Sequence, residues 1–557
     1  MKKTLAVILA FLTLVGVLSL CACDEEVTVG EGPFGKYSPS ITVTYGKPVT
    51  AISDVLNALG ETAEDNVWNT YIRKELGVKL NLTLGMATDV DYYTKLTTAV
   101  SAGMVPDFLE VGYFEAGFSN LKMMNENDAL YALDEVIEQY ASDDLKEVID
   151  SYDPIIFRPC TFDGKIKGFP QFYNVGGASA GFYWIRTDWL ENLNLKMPET
   201  YDELINVMKA FTYQDPDGNN VKDTYGLAAD SSVYGSFAGL FSAYGCMPQA
   251  WVDDGSGHLV YGGIQPEIKE VLRDIKELYA SGVIKDDFSY LTPGVDAGNQ
   301  MNSGTAGIVV GAATSGLNYA QTIVRNHSAN IECVPFIAAD GHEVRVLSSI
   351  PAYTFYAVSK DTKYPEVLIK ILNLYLDVSE GERGSDLLAT MIQDEAGNEI
   401  WKLSPANTMG AIAPSKADEL KYDQLKELAE AIEKRDDSRL RQVDKSVYAS
   451  VSDYLDNGIY KNWGWYALFK ENGSLQKLVD AREVEGYFAF SMYSAAPSEN
   501  MNKYLEALDV MQWTAYVNII VGEAELDSFD TFVTEWLATG GEEITAEVNE
   551  WYSQFKD

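Results

Sequence analysis

Asp215, Asp217, Asn219 and Asp223 place side-chain oxygens at positions 1, 3, 5 and 9 of the run DPDGNNVKD, and the Val221 carbonyl falls at position 7. That rhythm wraps hard oxygen ligands around Ca²⁺ in EF-hand loops, and here it would make a structural rather than a catalytic site. Two positions depart from it. Asn220 stands at position 6, where glycine normally makes the turn, and Gly226 stands at position 12, where a bidentate Glu is usual. The other reading of these residues is a polar Pro-Asp-Gly turn without an ion.

Catalysis has less to work with. Gly177-Ala178-Ser179-Ala180-Gly181 matches G-x-S-x-G, but a nucleophile elbow needs a helix after its serine. Here Phe182 to Arg186 (FYWIR) reads as a strand, and none of His258, His327 and His342 has the context of a general base. A flexible crossing between lobes suits those glycines better. No Walker A loop, HExxH or CxxC pair occurs. No spacing marks a glycosidase pair, although the 83 Asp and Glu residues supply candidates for one. The chain reads as a non-enzyme.

Aromatic residues make up 12% of the chain, enough to supply several rings to a binding surface. Rings stack on the C–H faces of sugars while neighbouring polar groups bond the hydroxyls. Tyr113, Phe114, Phe172, Tyr173, Trp463, Trp465, Phe490 and Tyr493 fall in segments that read as loops or strand ends, and they are the candidate ligand-binding residues.

The elements that must position these groups follow from periodicity. Ile41 to Ile52 and Val78 to Leu84 alternate as strands do, and Phe108 to Val111 is a short apolar run; Asn66 to Leu76 and Asp91 to Ser101 between them read as helices. That is α/β layering. Tyr201 to Phe211 is a helix with Thr200 and Glu203 forming a capping box. Gln265 to Ser281 has Pro266 near its start and Gly282 past its end. Ala417 to Arg441 reads as a long charged helix or helix pair, and Asn500 to Gly522 and Glu543 to Phe555 are amphipathic.

The ends and totals set the compartment. Lys2 and Lys3 precede an apolar run from Thr4 to Leu20, the pattern of a secretory signal. Leu20-Cys21-Ala22-Cys23 resembles the lipobox of bacterial lipoproteins. The expectation is removal of residues 1–22, lipidation of Cys23 (palmitate among the acyl groups) and a flexible tether over 23–39. No later stretch approaches the roughly 18–20 apolar residues that span a bilayer. The formal charge of −41 argues against nucleic acid and against lying on anionic lipid. It also disfavours polyanionic ligands, unless local Arg or Lys residues overrule the average. Cys160, Cys246 and Cys333 match no metal spacing and read as buried small hydrophobes, with one optional bridge.

Several segments together resemble the large lipoprotein members of the family 1 extracellular solute-binding proteins of ABC transporters, relatives of maltose- and alginate-oligosaccharide-binding proteins. Ser101 to Asp107 (SAGMVPD) is similar to the family's SGxxPD turn, and Asp163 to Pro170 (DGKIKGFP) to its DGKxYGxP segment. Trp184 to Leu190 (WIRTDWL), Asp215 to Gly226, Gln265 to Tyr279, Ser303 to Gly307 (SGTAG) and Trp536 to Tyr552 continue the match, which runs from about Asp91 to the C-terminus. Met391 to Ser474 shows little that matches.

The resemblance implies an α/β, periplasmic-binding-protein-like type II fold, with two hinged lobes closing over a ligand. The expected N-terminal lobe is 40–170 plus 349–407 and the expected C-terminal lobe 171–348 plus 408–557. It further implies Ca²⁺ on Asp215, Asp217, Asn219, Val221 and Asp223, and capture of an oligosaccharide, expected to be neutral, for ABC permease subunits. The expected state is a monomer on the extracellular face of the cytoplasmic membrane, held there by its lipid alone. The alternatives are a lipoprotein for peptides or other polar solutes, a surface glycoside hydrolase or lyase, and a purely adhesive lipoprotein.

Overall fold

The computed structural model describes residues 27–49, 61–86, 89–112, 115–152, 154–172, 181–348, 350, 352–380, 391–393, 399–401, 422–440 and 442–556. Cys23, Tyr113, Phe114, Tyr173 and residues 177–180 of the serine motif lie outside them, and of Phe172 only the backbone is described. The chain divides into two compact units. One comprises Met1–Glu110, Leu133–Leu145 and Val358–Ala411; the other comprises Val111–Ala132, Lys146–Ala357 and Ile412–Asp557. The border expected at 170/171 therefore falls inside the second unit.

In the first unit the strand Ile41–Pro48 pairs in parallel with Val78–Met86 (Ile41 opposite Val78) and with the start of Phe108–Gly112 (Tyr45 opposite Phe108). Ile41, Val43 and Tyr45 face the core while Thr42 faces solvent, as a half-buried strand requires. The crossover helix Val67–Leu76 starts on Asn66, whose side chain accepts from the Asn69 N–H at 2.8 Å. The PD motif proves to be a strand clamp. Asp107 Oδ2 accepts from the Thr44 N–H at 2.8 Å and from the Thr44 hydroxyl at 2.7 Å, joining neighbouring strands.

The tether expectation needs correcting over residues 27–39, which are folded. Thr28–Val29 pairs with Tyr37–Ser38, and Tyr37 is a core residue, 1% exposed. Its hydroxyl donates to Glu366 at 2.6 Å, while the fully buried Lys370 ammonium donates to the Gly35 carbonyl at 2.8 Å. Burial pushes the Lys370 ammonium below its ordinary range, and Glu366 opposes that shift. A composition too polar to make its own core is here ordered by borrowing one.

In the second unit a four-stranded sheet runs in the order Tyr225–Leu227, Ala306–Gly311, Phe182–Arg186, Ile331–Pro335. The first pair is parallel (Leu227 opposite Ile308), and Phe182–Arg186 is antiparallel to both of its neighbours. All five residues of Phe182–Arg186 are buried, so its unbroken apolar run reflects cover on both faces. Buried Arg186 is satisfied by a two-point contact with Asp188, Nε to Oδ1 at 2.8 Å and Nη2 to Oδ2 at 2.6 Å. The arginine of the WIRTDWL segment is thus structural. Thr161–Phe162 and Lys165–Ile166 form a hairpin whose two-residue turn puts Asp163 at φ 53° and Gly164 at φ 70°, the Asp-Gly pair that a type I′ turn favours.

The capping box of Thr200 and Glu203 is present on the helix Tyr201–Tyr213. The helices Ile268–Ala280, Glu499–Val521 and Glu542–Tyr552 lie close to their expected ranges. Of the charged segment 417–441, the described residues hold the helix Tyr422–Lys434, which ends where Arg435 turns to φ 55°; a second helix, Gln442–Asn457, follows. Cys160, Cys246 and Cys333 are buried and free, so the optional bridge is not formed. No helix among the described residues is long and apolar enough to cross a membrane.

Candidate functional site

Tyr225–Leu227 and Ala306–Gly311 run in the same direction, so their carboxyl ends open on one edge of the sheet. In open α/β sheets that edge is where ligands bind, because strand ends and helix starts leave backbone groups facing outward. The segment after the first strand holds Asp230 and Ser232, and the helices Asp296–Ser303 and Gly316–Arg325 begin beside it. Together they line a cavity of about 520 Å³. Ser232, Asn299, Asn302, Asn318 and Tyr319 contribute polar atoms to its wall, and none of the described lining residues is Lys or Arg.

Asp230 is fully buried, and its carboxylate is committed to the fold. Oδ1 accepts from the Ser232 N–H at 3.0 Å and the Ser236 hydroxyl at 3.2 Å, and Oδ2 from the Ala297 N–H at 3.1 Å. It joins the loop after one strand to the start of a helix. Asn302 donates to the Asn318 carbonyl at 2.9 Å, and Tyr319 donates to the Val310 carbonyl at 3.2 Å. Asn318 is exposed and Ser232 half-buried, so the Asn318 amide and the Ser232 hydroxyl can reach a solute. An amide offers both donors and an acceptor, and a hydroxyl offers one of each kind; sugar hydroxyls need that mixture.

The sequence reading missed Ser232 and Asn318 because neither is aromatic and neither sits in a motif. The available signal was positional: small polar residues directly after a strand and at helix starts.

The aromatic candidates have different fates. Trp463 is 3% exposed, in the helix Trp463–Phe469 rather than a loop, and its ring meets Trp184 edge-on at 6.4 Å. It is a core residue. Trp465, on the same helix, stacks on Phe469 at 6.3 Å and covers a satellite cluster around Leu428 and Val451. A short apolar run with two tryptophans fits a buried helix as well as a loop, and packing decided between them. Phe490 ends the strand Phe488–Phe490, and Tyr493 packs edge-on against Trp551 at 4.9 Å while its hydroxyl donates to the Ala496 carbonyl at 2.7 Å. Among the described candidates, Trp463 is withdrawn into the core, so these rings do not form one ligand surface.

The acidic loop follows the helix Tyr201–Tyr213. Its turn uses positive φ at Asp215 (52°), Gly218 (69°) and Asn220 (61°), and Asn192 holds it by donating to the Pro216 carbonyl at 2.8 Å. Asp215 Oδ2 accepts from the Asn220 N–H at 3.0 Å, while Asp215 Oδ1 is buried with no hydrogen-bond partner. Asn219 Nδ2 donates to Asp217 at 2.7 Å and reaches toward Asp223 at 3.4 Å. Burial pushes the Asp217 carboxyl above its ordinary range, the Asn219 N–H pulls the other way, and Asp215 and Asp223 add to the rise. Among the described residues no three such side chains converge as a metal site, but the orphaned buried Asp215 oxygen leaves one acceptor open to a cation. The missing position-12 Glu also has a reason: a Cβ on Gly226 would lie 2.1 Å from the Met208 carbonyl oxygen, so only glycine fits where strand and helix meet.

Comparison with known proteins agrees with this architecture. The model of the bacterial extracellular solute-binding protein family matches residues 54–380. The chain is 26% identical over 492 residues to the polygalacturonan/rhamnogalacturonan-binding protein YtcQ of Bacillus subtilis (strain 168), covering 87% of this chain and 88% of that one. It is 29% identical over 251 residues to the fructooligosaccharide ABC transporter substrate-binding protein FusA of Streptococcus pneumoniae serotype 4, covering 40% and 44%. Among solved structures, an extracellular solute-binding protein from Bifidobacterium longum subsp. infantis superposes with a TM-score of 0.57 at 14% identity, covering 93% of this chain and 99% of that one. The matched model covers more than half of the chain, which therefore belongs to the family of bacterial extracellular solute-binding proteins and is a binding protein rather than an enzyme.

Proposed function

We propose that this protein captures an oligosaccharide in the cavity at the carboxyl edge of the Tyr225–Leu227 and Ala306–Gly311 strands and hands it to an ABC permease. The observation that carries the reading is the wall chemistry, with neutral amides and hydroxyls and no cation. Such a wall favours hydroxyl-rich, uncharged groups over peptide termini or phosphates. YtcQ and FusA, by their names, bind glycans, which supports the same cargo class.

A thermal-shift screen of the full chain against oligosaccharide and peptide panels tests this. A ligand present at a hundredfold excess over its dissociation constant stabilises the folded state by about 2.7 kcal/mol. One glycan class should raise the melting temperature. The Ser232→Ala/Asn318→Ala variant should melt at the wild-type temperature without ligand and show at least a halved shift with it. Shifts with peptides alone would replace oligosaccharide by peptide as the cargo.

The same proposal places the protein outside the cell on a lipid anchor at Cys23, supported by the basic and apolar run that precedes it. The Cys23→Ala chain should move from the membrane fraction to the medium or periplasm. Unchanged partitioning into detergent would remove the anchor. The proposal also gives the loop of Asp215, Asp217, Asn219, Val221 and Asp223 to a structural Ca²⁺. Once bound, the ion would neutralise the carboxylates and occupy the orphaned Asp215 oxygen.

A further inference from the structure

A second pocket, of about 280 Å³, lies within the unit that holds the amide-lined cavity. Phe118, Tyr493 and Trp551 give it aromatic surface, and Lys122, Asn125 and Arg158 give it donors. Arg158 stands on the turn Pro154–Cys160, anchored by the buried side chains of Ile155, Ile156, Pro159 and Cys160. Its guanidinium carbon lies 5.6 Å from the Tyr552 ring centroid and 5.5 Å from that of Phe555. The guanidinium thus sits against two rings.

Arg158 is also uncompensated. Its Nη1 is buried and has no hydrogen-bond partner, and among the described residues no carboxylate pairs with it. Arg186, Arg273 and Arg435 pair with carboxylates, whereas Arg158 keeps a buried donor in a pocket wall without one. A buried donor left unmade is costly, so an orphan in a pocket wall calls for a missing acceptor. The neighbouring Ser494 hydroxyl, between pocket residues Tyr493 and Ala495, is likewise buried without a partner.

The acids around the pocket do not fill the role. Asn500 donates to Glu547 from its amide at 2.8 Å and from its N–H at 3.3 Å. Asp163 pairs with Lys167 at 3.6 Å, and Glu126 is exposed. The planar fork of a guanidinium matches a carboxylate in two-point contact, and the rings beside it suit the apolar face of a sugar.

We propose that the Arg158 pocket is a carboxylate-reading site for an acidic sugar, a uronate, distinct from the amide-lined cavity. The inference rests on the sugar-capture reading for the scaffold that carries the carboxylate. It is the local exception to a net charge that otherwise disfavours anions.

Calorimetry on the full chain separates the two readings, using trigalacturonate, its fully methyl-esterified form and acetate as probes. The acid should bind at least about tenfold more tightly than the ester, the scale of a lost charge-assisted contact. Arg158→Gln should remove that preference while leaving the affinity for the ester within about twofold. Arg158→Lys keeps the charge and the stem but not the fork, and it carries the test if the glutamine variant does not fold. It should lose at least half of the preference in log units. Equal binding of acid and ester, or a preference that survives in both variants, would overturn the inference and leave sugar capture standing. Acetate binding as tightly as the trisaccharide would overturn the sugar part, and silence with all sugars, neutral glycans included, would overturn the capture reading itself.

Discussion

Replacing Trp463 by Ala should destabilise the second unit by about 3–5 kcal/mol, the range for removing a large aromatic side chain from a core. The indole is 3% exposed and packs against Trp184, whose own Nε1 donates to the Ala312 carbonyl at 3.0 Å. Ala312 follows Gly311 at the carboxyl end of the Ala306–Gly311 strand, so the cavity left by the indole would open behind the edge that carries the proposed sugar site. Urea unfolding of the full chain should show the loss as a lower midpoint. Ligand affinity measured well below that midpoint should change little. Undiminished stability with markedly weaker binding would instead return Trp463 to the ligand surface. Trp465→Ala should cost less, because that ring is only half-buried and covers a satellite cluster.

Stripping divalent cations should produce the second large effect. With free Ca²⁺ a thousandfold above its dissociation constant, an ion bound only by the folded state contributes about 4 kcal/mol. EDTA should therefore lower the melting temperature by several degrees, and added Ca²⁺ should restore it. Asp217→Asn removes one of the loop's three carboxylates and should abolish most of that response. A melt indifferent to EDTA would mean that the Asn219 amide, which already bridges Asp217 and approaches Asp223, serves as the counter-group and that the loop is a polar turn. Asn220 at position 6 is no obstacle to either reading, since it already holds the left-handed conformation usually left to glycine there.

What could be read from the residues was largely what neighbours in sequence decide. The Thr200–Glu203 capping box and the alternation of Ile41, Val43 and Tyr45 are set within a few residues of themselves, and each is observed. The same locality explains two misreadings. Acidic, Gly- and Pro-containing sequence before Ser40 has no core of its own, yet Tyr37 finds one through Glu366, more than three hundred residues away. Trp463 and Trp465 carry no local mark that separates a buried helix from a binding loop; Trp184 and the helix Gly316–Arg325 supply it.

The roles of the motif residues divide in the same way. Asp107, Arg186 and Asp188 belong to recognisable segments, but only the tertiary contacts show that they clamp strands and satisfy buried charge rather than touch a ligand. Ser232 and Asn318 could not be found by type or spacing, because they meet only where the parallel strands Tyr225–Leu227 and Ala306–Gly311 end on the same edge. Arg158 is one basic residue among 42 until the fold shows its Nη1 buried without a partner in a pocket wall. By itself the sequence determined the family, the α/β layering, the local caps and turns, and the spacing of the acidic loop, because periodicity and short-range hydrogen bonding are encoded residue by residue. The tertiary structure decided which rings are core, which polar groups are spent on the fold and which remain for a ligand, because burial and hydrogen-bond satisfaction depend on segments far apart in the chain.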